Sequence, residues 1–120
     1  MRVLVIDNDP AIRRILQAVL TDAGFSVETA ANGFTALQLV ESERPNAIVL
    51  DLLMPGMPGR EVFKQLESRG DRPPVLILSS FDAQQARDEL GAEASIDKPF
   101  EPEELVQRVQ LLVSAGAGQA

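Results

Sequence analysis

Five short apolar runs separated by amphipathic stretches constrain the fold of this chain more than any other feature. Val3–Ile6, Phe25–Thr29, Ala47–Leu50, Val75–Leu78 and Ala94–Ile96 each read as a strand. The first, third and fourth are continuous runs of β-branched residues, leucine and alanine, the pattern of parallel strands covered on both faces. The second alternates, with Phe25, Val27 and Thr29 on one side, and suits a half-exposed edge. Between the runs, Ile12, Ile15, Leu16, Val19 and Leu20 follow helical spacing, with Asp9 as N-cap, Pro10 in the first turn and Gly24 as the stop. The pattern predicts further helices over Phe34–Ser42, Gly59–Ser68 and Ala83–Leu90, and a last one carrying Leu105, Val106, Val109, Leu112 and Val113. Strands alternating with helices predict one doubly wound α/β domain, a parallel sheet with helices on both faces. Its expected extent is 1–113, with the Gly/Ala-rich segment 114–120 as a flexible tail or the start of a linker.

A chain of 120 residues has room for one such domain. Its formal charge of −7, with no clustered basic patch, disfavours binding to nucleic acid or an anionic membrane. No histidine or cysteine is present, which excludes a Ser-His-Asp triad, a zinc-histidine site, a phosphohistidine and any disulfide. No apolar run approaches the length of a membrane span, and Met1 runs almost directly into the first strand, so a cytoplasmic location is expected.

Parallel α/β sheets place their chemistry at the carboxyl ends of the strands. Asp7, Asn8 and Asp9 follow the first strand, Asp51 the third, Ser79 the fourth, and Lys98 comes just after the fifth. Taken singly, Asp9 is a helix cap, Ser79 a strand-end hydroxyl and Lys98 a solvated surface residue. Asp51 resists such a reading, because apolar residues flank it on both sides and a carboxylate there requires compensation. Together these groups suit phosphoryl transfer: carboxylates for a hard cation such as Mg²⁺, an aspartate nucleophile, and a hydroxyl and an ammonium for phosphoryl oxygens.

Over nearly its whole length the chain resembles a response regulator receiver domain. The resemblance rests on the acidic residues after the first strand, on Asp51-Leu52-Leu53-Met54-Pro55-Gly56-Met57-Pro58-Gly59, on Ser79, and on Lys98-Pro99-Phe100. It implies a flavodoxin-like strand order 2-1-3-4-5 and a phosphoacceptor switch of a two-component system, not a metabolic enzyme. It further implies phosphorylation of Asp51 by a sensor histidine kinase or histidine phosphotransfer protein, Mg²⁺ held at Asp7, Asn8, Asp51 and Leu53, and phosphoryl binding by Ser79 and Lys98. By the same resemblance Lys98-Pro99 is cis, and Leu53 and Phe81 flank the phosphoryl group and control the approach of water.

The chain departs from the family pattern at three places. Asn8 replaces the second acid after the first strand, which removes a charge from the metal site. Ser95 occupies the switch position, where the family carries an aromatic ring. The fourth helix is expected to be short. Two competing readings follow. In one, Asp7-Asn8-Asp9 is the Asp-x-Asp nucleophile motif of a haloacid dehalogenase-type phosphatase, with Asp7 attacking. In the other, the chain is a receiver-like binding module that works without phosphorylation.

Overall fold

Side chains alternate across a strand, and here the alternation divides the core in two. Val3, Val5, Ala47, Val49, Leu76 and Leu78 pack on one face of the sheet, while Leu4, Ile6, Ile48, Leu50, Val75 and Ile77 pack on the other. In the computed structural model, which describes residues 1–118, these residues belong to a five-stranded parallel sheet. The strands are β1 (Arg2–Ile6), β2 (Ser26–Ala30), β3 (Ala47–Asp51), β4 (Val75–Ser79) and β5 (Ala94–Asp97), in the order β2-β1-β3-β4-β5. The expected strand order and doubly wound architecture are therefore present.

The helices are α1 (Pro10–Asp22), α2 (Gly33–Glu43), α3 (Gly59–Ser68), α4 (Ala83–Leu90) and α5 (Pro102–Gly118). Leu16 and Leu20 of α1 join Leu105, Val109 and Leu112 of α5 on the first face. Leu37 of α2, Val62, Phe63 and Leu66 of α3, and Ala83 and Ala86 of α4 cover the second. Strand β2 begins one residue later than expected and shows the half-buried pattern of an edge, and β5 continues to Asp97. Helix α5 runs past 113, so the expected tail is helical as far as Gly118; residues 119 and 120 lie outside the described residues. No helix among the described residues is long and apolar enough to cross a membrane.

At the amino-terminal edge of the sheet Arg72 ties α3 to the β5 side. Its guanidinium donates to both carboxylate oxygens of Glu93, at 2.7 and 2.9 Å, pairs with Glu67, and lies 4.6 Å over the Phe63 ring. Glu93 also accepts the Val75 N–H at 2.8 Å, which locks the start of β4 to the approach to β5. This network fixes the end of the sheet opposite the strand exits and leaves the exits for chemistry.

Candidate functional site

All five strands run the same way, so their carboxyl ends share one edge. The register pairs Ile6 with Leu50, which brings Asp7 and Asp51 out side by side with the same pleat direction. Both carboxylates are buried, Asp7 at 0% and Asp51 at 2% exposure. Lys98 arrives from the far side after β5, and its Nζ lies 3.1 Å from Asp7 Oδ2 and 3.3 Å from Asp51 Oδ1. The Lys98-Pro99 peptide is cis, as expected. Two buried anions thus face one cation, and the cluster holds an excess negative charge.

That excess acts on Asp51. Burial, and then the neighbouring Asp7 charge, push Asp51 above its ordinary value, while Lys98 and the Leu53 N–H, which donates to Oδ1 at 3.3 Å, pull the other way. Asp7 Oδ1 accepts the Asp9 N–H at 2.9 Å, but Asp7 Oδ2 is buried without a hydrogen bond. Lys98 Nζ gives that oxygen a close charge contact and no aligned donor. With one ammonium shared between two buried carboxylates, this oxygen has room for a second cation. The donor set therefore fits a hard divalent ion.

The neighbouring acid does not join the cluster. Asp9 Oδ1 accepts the Ala11 N–H at 2.9 Å and serves as the N-cap of α1, so local capping has claimed the side chain. Asn8 is exposed beside it. Among the described residues no group of three or more His, Cys, Asp or Glu side chains converges as a metal site. The carboxylates that converge on Lys98 are two, Asp7 and Asp51.

Ser79 leaves β4 on the neighbouring strand, buried at 3% exposure. Its hydroxyl is folded onto its own loop, accepting the Phe81 N–H at 3.1 Å and donating to the Phe81 carbonyl at 3.2 Å. Leu53 and Phe81 are 65% and 86% exposed, so neither packs into the core. Ser95 is buried, and the Arg108 guanidinium donates to its carbonyl while pairing with Glu104 at 2.7 Å. At Ser95 an arginine from α5 thus contacts the strand backbone, and β5 carries no ring.

Two further residues hold the site. Arg13 of α1 donates to the Asp7 carbonyl at 2.8 Å, and Asp97 accepts the Ala83 N–H at 2.8 Å at the start of α4. Neither carries a signal in the sequence alone, since one arginine of a pair on a helix and one acid before Lys98 look like ordinary surface residues.

Comparison with known proteins agrees with this geometry. The sequence model of the response regulator receiver domain family matches residues 3–110. Response regulator MprA of Mycobacterium avium (strain 104) is 43% identical over 116 residues, covering 94% of this chain and 51% of that protein. MprA of Mycolicibacterium vanbaalenii is 41% identical over 128 residues, covering 100% and 55%. The chain spans about half the length of these curated relatives. Among solved structures, the receiver domain of the Francisella response regulator 1452 superposes with a TM-score of 0.88 at 31% identity, over 95% of this chain and 97% of that one. Vibrio cholerae chemotaxis protein CheY4 superposes with a TM-score of 0.82 at 34% identity, over 92% and 97%. The phosphatase reading through Asp7 is not favoured: the second acid of its motif, Asp9, caps a helix, and the buried Asp51 beside Lys98 would go unused. The fold, the paired carboxylates facing a lysine and the sequence match converge on one assignment, and this chain belongs to the response regulator receiver domain family.

Proposed function

We propose that the domain takes a phosphoryl group onto Asp51 from a phosphohistidine of a sensor kinase or histidine phosphotransfer protein. The observation that carries this reading is the buried Asp51 carboxylate, held 3.3 Å from Lys98 at the carboxyl edge of the sheet. An Asp51 oxygen attacks the donor's phosphorus, the O–P bond forms as the N–P bond breaks, and the imidazole leaves. Lys98 and the Ser79 hydroxyl then each hold a phosphoryl oxygen. Asp7, Asp51, Leu53 and Asn8 are the residues that would hold Mg²⁺, which supplies charge neutralisation at the phosphoryl oxygens. The uncompensated negative charge and the unbonded Asp7 Oδ2 support that assignment. Leu53 and Phe81 offer no side-chain hydrogen bond to orient a hydrolytic water, and we assign them to water gating.

The domain assists only its own phosphorylation and dephosphorylation, and we place it in the cytoplasm with the kinase domains that serve such switches. With a formal charge of −7 it meets protein partners and not nucleic acid. Incubation with acetyl phosphate and Mg²⁺ followed by mass spectrometry tests the reading. One phosphoryl group on Asp51, absent from Asp51→Asn, is expected; undiminished labelling of that variant rejects it.

A further inference from the structure

The loop joining β4 to α4 is fastened at both ends by consecutive residues leaving β5. The Lys98 N–H donates to the Ser79 carbonyl at 2.8 Å, and Asp97 Oδ1 accepts the Ala83 N–H, also at 2.8 Å. Ser79 and Asp97 are register partners, so the first of these bonds continues the parallel ladder and the second extends it to α4. Within the loop, the one proton of the Ser79 hydroxyl is given to the Phe81 carbonyl. While that bond stands, Ser79 cannot donate to a phosphoryl oxygen. Asp82, next in the loop, is a non-glycine residue in the left-handed region at φ +44, so the segment is held in a conformation it would not choose alone.

Helix α4 depends on its first turn. It has eight residues, and its buried side chains are only Ala83 and Ala86. Beyond these two alanines and the partly buried Leu90 at its far end, the first turn of so short a helix leans on its capping. Asp82 accepts the Gln85 N–H at 3.1 Å, and Asp97 supplies the second carboxylate. Among the described residues the Asp97–Ala83 bond is the one side-chain hydrogen bond between β5 and α4.

We propose that Asp97 is a positioning residue that ties the exit of β5 to the first turn of α4 and holds the loop in the form whose serine hydroxyl is spent on Phe81. Phosphorylation draws the Ser79 proton to the phosphoryl group, the loop yields, and the tie to Ala83 breaks so that α4 moves with the loop. The relay stands where the strand lacks an aromatic ring, at Ser95. It rests on the phosphoacceptor reading of Asp51.

The test uses the whole chain with beryllofluoride and Mg²⁺, followed by amide resonances and hydrogen exchange. In the wild type, protection of the Ala83 amide should fall by about tenfold on beryllofluoride binding. Asp97→Ala should bind beryllofluoride about fivefold more tightly, because the resting loop no longer has to be pried open. Asp97→Asn removes the same charge but keeps the acceptor oxygen, and should stay near the wild type, which separates the tie from a field effect. A purely structural role would weaken binding in Asp97→Ala. Unchanged Ala83 protection in the wild type, or unchanged or weaker binding by folded Asp97→Ala, overturns the relay. A wild type that takes no beryllofluoride overturns the phosphoacceptor reading, and the relay with it.

Discussion

A Cβ on Gly59 would lie 2.2 Å from the carbonyl oxygen of Asp51 and 2.7 Å from Leu52 Cα. The first residue of α3 thus packs directly against the backbone of Asp51, and the obstacle is main chain, which cannot turn aside. Gly59→Ala should cost about 3 kcal/mol, the upper end of the usual penalty for overpacking. Gly70→Ala, at a positive φ but with nothing within 4 Å of its Cβ, should cost about 1–2 kcal/mol. Urea melts of the two variants decide, and equal losses would mean that the β3–α3 junction relaxes freely.

Asp51 should make the metal-free domain less stable at neutral pH. Burial and Asp7 raise its pKa above 3.8, so the native state binds the proton more tightly than the unfolded chain does. Its contribution favours folding at low pH and is lost as pH rises from about 3.8 through the native value. Asp51→Asn leaves one carboxylate facing Lys98. In EDTA at pH 7 the variant should melt several degrees higher, given roughly 4 °C per kcal/mol for a domain of this size. The gap should close as pH falls, and a gap independent of pH would assign the gain to something other than this charge.

Asn8→Asp should restore charge to the metal site. Charges about 4 Å apart interact by roughly 1–4 kcal/mol at effective dielectrics of 80 to 20. Asp9 already gives one oxygen to the cap of α1, which competes with any contribution to the ion. Mg²⁺ affinity by calorimetry should therefore rise at least severalfold in the variant. No gain would place position 8 outside the reach of the ion.

The phosphorylated state should be long-lived. Leu53 and Phe81 are both large and exposed, and neither can align a water with the departing oxygen. Decay of the phosphoprotein after donor removal should quicken severalfold in Leu53→Asn and further when Phe81→Glu is added. Identical decay in all variants would remove both side chains from the control of hydrolysis.

Much of this could be read from the chain because it depends on local order. Short continuous apolar runs alternating with amphipathic stretches suit strands buried on both faces, and parallel strands must deliver Asp7, Asp51, Ser79 and Lys98 to one edge. The boundaries of α3 and α4 agree with the expected ones because Gly59 and Gly91 mark them chemically. Composition alone leads to a flexible tail or the start of a linker from 114, yet alanine is the strongest helix former, and α5 runs on to Gly118.

What only the tertiary structure decided are the competitions between partners. Asp9 had two available roles, and its Oδ1 accepts the backbone donor two residues away. Whether Asp97 meets solvent or Ala83 depends on the register that sets Ser79 opposite Asp97, which no single stretch of sequence contains. The same holds for Gly59, whose need to be glycine comes from a carbonyl on another element. Periodicity determines which residues are buried, because burial follows from one segment's own pattern. Which polar atom a side chain reaches is settled by distances between segments, and these exist only once the sheet has formed.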